Sequence, residues 1–471
     1  MSAALSPRRG RSAVVASFAF SVSLLVVVLM GSSVLAESDS NALAPWQAPP
    51  GQATSLALES YAAPADTGPS SPVPAAGQAS NCATCNGGIG GSSECDDSGE
   101  CGTTSRCDYN FLLPQERLWV RGEYLLGWSK SASLPALATT SVAGTPENQA
   151  GVQGLSSTSL LFGGAVDPGA RSGMRLTLGY WFCPCHDAGL EAVYTNFSSA
   201  GASFYEESNA TGSPILARPF RNAQTGAEDS LVIAYPGSAS GSIDIRSVND
   251  FSSIEVLLRE AVLGQCDRRL DFLVGYRYSR FNEALSVYSP TTNLSRTGQF
   301  PVDTLVEFTD EFNTTNHFHG VELGFSGKDQ FRRLSLEVLG KLALGRTQSR
   351  VMINGSSTVT QPGQSPVTYN GGLLAAPSNI NSEGFEYSAL SLMPEFGVML
   401  GYDITCRLKA TAGYSVVYWS NLMRPGDQIS TDVNTSQLLG RTGSGLGVPT
   451  YKAVPGDFWV QSFTVGLDYR F

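Results

Sequence analysis

The residue types able to do chemistry in this chain are few and poorly grouped. Its three histidines are His186, His317 and His319. The last two stand near Asp310 and Glu311, and an imidazole beside a carboxylate can activate water. Spacing argues against that use. In "NHFHGVELGFS" His317 and His319 share the parity of Val321, Leu323 and Phe325. Residues two apart on a strand point to one face, so both imidazoles turn outward with the aliphatic side chains. His186 falls in the turn "CPCHDAG". No glycine-rich phosphate loop or nucleophile elbow accompanies them, so no catalytic residue, metal ligand or cofactor is expected.

Nine cysteines form two groups. Cys82, Cys85, Cys95, Cys101 and Cys107 crowd together, while Cys183, Cys185, Cys266 and Cys406 are spread through the remainder. Cys82-x-x-Cys85 is also half of a zinc pattern, but no histidine is near and later spacings do not repeat it. In an exported chain disulfides are the default. The odd count leaves at least one thiol free or paired with another molecule. The four spread cysteines fall in turns at one end of the strands, where disulfides among them, or to the first group, would fasten the N-terminal segment beneath the strands.

Export is written at the N-terminus. Arg8, Arg9 and Arg11 precede an apolar run that closes on Val34-Leu35-Ala36, the layout of a secretory signal peptide over residues 1–36. A single membrane-spanning helix is the competing reading of that run. Glu37 stands where a lipoprotein would need cysteine. Cleavage after Ala36 takes three arginines and no acid from a chain of net charge −11, and so acidic a protein is a poor partner for nucleic acid. Residues 37–80, rich in Pro, Ala and Ser, read as a flexible tether. Residues 81–116 form a cysteine-rich segment expected in the periplasm.

From residue 117 to 471 the texture is strand-like. "RLWVRGEYLLGW", "RSGMRLTLGYWF", "GLEAVYTNF", "SSIEVLLREAV", "RLDFLVGYRYS", "FHGVELGFS", "RRLSLEVLGKLALG", "SALSLMPEFGVMLGY", "CRLKATAGYSVVYW" and "SFTVGLDYRF" each alternate apolar with polar residues, the period of a strand between two environments. Pro394 cannot donate to a ladder and predicts a bulge or an edge-like break. Short connections (183–188, 264–268, 326–330, 403–405) alternate with long ones (130–170, 199–250, 282–316, 346–386, 421–457). This is the layout of an outer-membrane barrel with short periplasmic turns and long extracellular loops. The expected fold is therefore an all-β, transmembrane, antiparallel up-and-down barrel of about ten strands, within bounds of eight and twelve. A hairpin hidden in "PVDTLVEFTDEF" would make twelve.

A soluble β-barrel or sandwich alternates in the same way, turned inside out. Aromatic residues towards strand ends favour the membrane, as girdles at its two interfaces. So does Phe471, at the end of a strand that must close against the first to leave no open edge in lipid. A terminal phenylalanine after alternating apolar residues is also the expected signal to the barrel-insertion machinery. The opposite face carries Arg121, Arg175, Arg259, Arg277, Lys341, Arg407, Lys409 and Arg470 against Glu123, Glu191, Glu255, Asp271, Glu322, Glu337, Glu395 and Asp468. These are the candidate lumen-lining residues. Two uses compete evenly: a polar lumen whose mixed charges act on permeating solutes, or side chains that pair across the interior and plug it, since ten strands are near the size that side chains fill.

Several segments together resemble the outer-membrane β-barrel porin family seven of planctomycete-type bacteria: "RLWVRGEYLLGW" with "LPALATTS", "LLFGGAVDPGARSGMRLTLGYWF", "GLEAVYTNF", "RRLDFLVGYRYSRFNE", "NHFHGVELGFSG" and "FWVQSFTVGLDYRF". The resemblance spans roughly residues 117–471. It implies an outer-membrane barrel and brings no catalytic residues. The expected function is a porin-like passive pathway for small polar solutes, with outer-membrane lipid as the surrounding partner. The alternative is a closed structural or surface barrel whose long loops bind partners.

Overall fold

The computed structural model describes residues 117–182, 186–264, 267–297, 299–441 and 447–471. The expected leader, tether and cysteine-rich segment lie outside these residues, as do Cys82, Cys85, Cys95, Cys101, Cys107, Cys183, Cys185 and Cys266.

Sixteen strands follow in chain order among the described residues. The first eight are β1 (Leu118–Ser129), β2 (Ala132–Ser141), β3 (Thr158–Val166), β4 (Arg171–Trp181), β5 (Ala188–Glu207), β6 (Leu216–Asn222), β7 (Glu228–Ala234) and β8 (Ala239–Gly264). The others are β9 (Arg268–Asn293), β10 (Leu305–Phe331), β11 (Leu334–Thr360), β12 (Val367–Asn370), β13 (Asn381–Asp403), β14 (Leu408–Met423), β15 (Asp432–Val433) and β16 (Pro455–Arg470). Ten of them close a ring of antiparallel neighbours in the order β1, β4, β5, β8, β9, β10, β11, β13, β14 and β16. The ring shuts where β16 returns to β1, with Trp119 opposite Arg470 and Trp128 opposite Gln461. This is the expected transmembrane barrel. "PVDTLVEFTDEF" forms no hairpin: from Leu305 it belongs to the single strand β10, so the count stays at ten.

Side-chain orientation follows the alternation. Val321 and Leu323 are 59% and 49% exposed, whereas Glu322 between them is 0% exposed. The same contrast holds around the ring, with Leu176, Val256, Leu336, Leu400 and Val465 outward and Thr177, Glu255, Ser335, Thr411 and Thr464 inward. A wall with aliphatic side chains outside and ionic ones inside is stable only where the outside is not water.

Two connections depart from expectation. The turn placed at 326–330 lies at Arg332 and Arg333, because Gly327, Lys328 and Asp329 stay in the ladder opposite Val338, Glu337 and Leu336. The long connections are in large part strand. β8, β9, β10 and β11 are 26 or 27 residues long, whereas a tilted crossing needs about 9–11. Beyond the apolar belt, β5, β8, β9, β10, β11 and β13 continue as a curved wall, while β1, β4, β14 and β16 stop or turn away. There the pattern inverts. Phe281, Leu285 and Val287 of β9 and Phe308 and Phe312 of β10 are buried on the inward face, and polar residues such as Arg280, Asn282, Glu307 and Glu311 take the outward one.

That inward face is covered by chain from the long connections. β2, β3, β6, β7 and β15 make a separate five-stranded sheet. Its Leu134, Leu137, Leu216 and Ile233 share one core with Ile243, Ile245, Leu285, Phe312, Val351 and Ile353 of the barrel strands. Leu373, Leu374 and Ala375, between β12 and β13, complete it.

Pro394 marks the expected break. β13 pairs with β11 along its whole length but with β14 only from Glu395 onward. Past that point side chains replace the ladder: the Leu392 amide donates to Ser420 Oγ at 2.9 Å and Asn421 Nδ2 donates to the Leu390 carbonyl at 2.8 Å. Asn421 has φ 57°, in the left-handed region that Asn tolerates better than most residues. The backbone turns inward there, which brings Leu422, Met423 and Arg424 into the barrel mouth, all nearly inaccessible.

Candidate functional site

The interior of the barrel is the candidate site, because the alternation sends nearly every ionic side chain of the crossing segments there. Nearest the short turns, Arg121 contacts Glu337 at 3.0 Å and Asp468 at 3.2 Å. Arg259 reaches Glu191 at 3.1 Å and Asp271 at 3.2 Å, and Lys409 reaches Asp403 at 3.4 Å. Around these groups lies a cavity of about 190 Å³ lined by Trp119, Arg121, Trp181, Arg269, Lys328 and Arg470, among others. Arg269 stacks over Trp181, 4.5 Å from the ring centre.

One level further in, three carboxylates from three strands converge. Glu255, Glu322 and Glu395 have oxygens within 4.8 Å of one another, a separation that like charges tolerate only with cations between them. Arg277 supplies contacts of 3.4, 3.0 and 2.8 Å to the three in that order. Lys341 contacts Glu255, Glu395 at 3.1 Å and Glu322 at 3.7 Å. Arg175 approaches Glu395 at 3.7 Å. The trio has the ligand count of a small metal site, but an ammonium and a guanidinium already occupy its centre.

Beyond the ionic level the lumen is aromatic. Phe281 and Phe458 lie 4.1 Å apart between ring centres, Phe251 lies 5.8 Å from Phe458, and Phe318 lies 5.9 Å from Trp419. Trp419 Nε1 donates to Thr347 Oγ1 at 2.8 Å, which satisfies the one polar atom of that side chain. Gly127 and Gly173 leave room for the Phe197 ring, since a Cβ at either would come within 2.5 or 2.8 Å of it. Free volume shrinks along this path. The next cavity, beside Arg175 and Glu191, is about 50 Å³. The one between Arg277 and Phe251 is about 10 Å³, at or below the size that holds a single water.

Further polar locks follow towards the long connections. Arg424 makes a two-point contact with Glu283 at 2.9 and 2.8 Å. Asn316 holds the Met423 backbone by accepting from its amide at 2.8 Å and donating to its carbonyl at 2.9 Å. Arg218 on β6 meets Asp310 on β10 at 2.5 Å, with both side chains at most 1% exposed. Asp310 Oδ1 also accepts from the amides of Leu374 and Ala375 at 2.9 and 2.6 Å. Burial pushes the Asp427 carboxyl above the ordinary carboxylate range, against the opposing pull of Arg424.

Fifteen of the sixteen lumen candidates lie on barrel strands with the inward parity read from the sequence. The sixteenth, Arg407, is half-buried in the turn between β13 and β14 rather than on a strand. His317 and His319 point outward as read, and His186 sits in its turn. Cys406, in the turn after β13, is disulfide-bonded. The aromatic level and the locks built by Arg218, Glu283, Asp310 and Arg424 were not read from the sequence. Their signal was parity: Phe281 continues the inward row of Arg277 and Ser279, but its apolar side chain breaks the rule used to recognise the strand.

The geometry defines a transmembrane β-barrel with a filled core. A family model described as "Putative beta barrel porin-7 (BBP7)" matches residues 119–471, and the chain belongs to that family. No curated protein matches it in sequence. Among solved structures it is similar to the outer membrane protease OmpT from Escherichia coli, at 10% identity and a TM-score of 0.37, over 77% of this chain and 99% of that one. It is also similar to a Pseudomonas aeruginosa FadL homologue, at 10% identity and a TM-score of 0.20, over 76% and 90%.

Proposed function

We propose that this chain serves as a closed barrel of the outer membrane that carries a folded cap for contact with partners, and that it does not pass small polar solutes. One observation carries the reading: the lumen is filled at successive levels, by the Arg277 and Lys341 network, by the aromatic layer and by the cap core. An inward polar face is what a porin needs, but here much of that face is spent on itself: Arg121, Arg175, Arg259, Arg277, Lys341 and Lys409 each meet a carboxylate from another strand. No catalytic role is included: His317 and His319 face away from the interior, and His186 lies at the edge of the 190 Å³ cavity with its ring 5.3 Å from that of Trp181.

The short-turn end then faces the periplasm with the N-terminal segment, and the cap faces outward, as an exported leader and long connections support. A solute pathway is the second reading, favoured by the family description and by the 190 Å³ cavity, which would be its inner vestibule. Planar-bilayer recording of the full-length protein separates the two. The closed barrel gives no stepwise current from protein that migrates on gels as a heat-modifiable, folded species. Stable conductance steps from the same preparation would overturn it.

A further inference from the structure

The outer wall holds a second set of ionisable residues, at the upper edge of the apolar belt. The register places Tyr276, Val321, Leu344 and Leu392 in one outward row across β9, β10, β11 and β13. The next row towards the cap is Tyr278, His319, Arg346 and Leu390, and the one after it is Arg280, His317, Gln348 and Ser388. Two guanidiniums and two imidazoles therefore occupy adjoining places with no carboxylate in either row. Asp250 and Glu386 come one row further out, the latter opposite Arg350.

These cations have only neutral acceptors among the described residues. Arg280 Nε donates to Asn282 Oδ1 at 3.1 Å and Arg346 Nε to Ser388 Oγ at 2.5 Å. Neither belongs to an ion pair, although the ionic residues of the lumen are almost all paired. The imidazoles are held in place by tyrosines: Tyr278 Oη lies 2.8 Å from His317 Nδ1 and Tyr276 Oη lies 2.6 Å from His319 Nδ1. The Tyr278 and His319 rings are 4.9 Å apart. Nε2 of each ring remains for a ligand. Arg280, His319 and Arg346 are exposed and His317 is half-buried.

Height decides what such a patch meets. Directly below it the wall is aliphatic and aromatic, so it lies where a bilayer passes from hydrocarbon to headgroups, the band that tyrosines favour. Headgroup phosphates are at that depth. A chain of net charge −11 has little general attraction for anions, so an unpaired basic cluster here is a local arrangement. We propose that Arg280, His317, His319 and Arg346 bind the phosphate of an anionic lipid headgroup in the leaflet on the cap side. The guanidiniums supply charge, and the tyrosine-held imidazoles supply oriented hydrogen bonds.

The test uses the full-length folded protein in detergent, incubated with equal amounts of dioleoyl phosphatidylglycerol and dioleoyl phosphatidylcholine and read by native mass spectrometry. Phosphatidylglycerol adducts should dominate. Arg280→Gln and Arg346→Gln should each lower that preference about five-fold, the effect of one basic residue near a charged headgroup. Millimolar inorganic phosphate should leave the adducts in place, while Arg268→Gln at the opposite end should change nothing. Heat-modifiable migration verifies the fold of each variant, and His317→Asn with His319→Asn gives an independent set. Equal uptake of the two lipids by the wild type, a preference that survives both arginine substitutions, or displacement by inorganic phosphate would each overturn the proposal.

Discussion

Asp310 shows how much of this molecule depends on single buried charges. Its carboxylate holds Arg218 from the cap sheet and two backbone amides of the β12–β13 connection at once. Removing only its charge leaves a guanidinium buried without a counter-ion. Asp310→Asn should therefore cost about 3–5 kcal/mol, the usual penalty for breaking a buried pair. Adding Arg218→Met should recover most of that, because asparagine keeps an oxygen for the amides and no charge is then stranded. Chemical denaturation of the folded protein in micelles measures both, and equal stability of the single and double variants would refute the argument. At this scale the sequence was informative where chemistry and parity agreed. Val321, Glu322 and Leu323 could be assigned to their faces from type alone, whereas Arg218 sat in a stretch read as loop and Asp310 in one left open between loop and hidden hairpin, so neither had an assigned face.

At the scale of the strand, side-chain parity is constant from end to end but the meaning of each face is not. β9 keeps its odd-numbered residues inward from Asp271 to Ser289, yet the inward side holds Asp271 and Arg277 in the crossing and is largely apolar from Phe281 onward. A strand recognised by apolar residues on one parity can be followed only as far as the point where that parity changes character. This is why crossing segments of about ten residues were legible and their extensions were not. Pro394 was legible, because a missing donor is a property of the residue itself. What answers it was not: Ser420 and Asn421 come from another strand. Asn421 both accepts a left-handed backbone and donates across the gap. Asn421→Gly should lose only the hydrogen bond, about 0.5–1.5 kcal/mol. Asn421→Ala should lose that and add about 1–2 kcal/mol of backbone strain. Denaturation midpoints in the order wild type, Gly, Ala test this, and an alanine variant as stable as the glycine one would refute it.

For the whole molecule the question is which part closes the lumen. The cap sheet is the visible obstruction, but the Arg277 network and the Phe281, Phe458 and Trp419 layer lie beneath it within the barrel. Replacing residues 131–167 by a short Gly-Ser linker removes β2 and β3 and leaves both inner levels intact. The prediction is a barrel that still carries no current in planar bilayers, with heat-modifiable migration as the check that it folds. Current from that variant would show that the cap, not the filled crossing, is the seal.

The sequence by itself determined the strands of the crossing, their number to between eight and twelve, the side of each that meets lipid and the identity of the charges inside, because all of these follow from a period of two read along one chain. Whether those charges would line a channel or close it depended on distances between residues far apart in sequence, such as Glu255, Arg277, Glu322 and Glu395 from four strands. Ring size, the inward bend at Asn421 and the folding of the long connections into a sheet set those distances. No local pattern encodes them, since the same alternating strands in a wider ring would hold the same residues too far apart to touch.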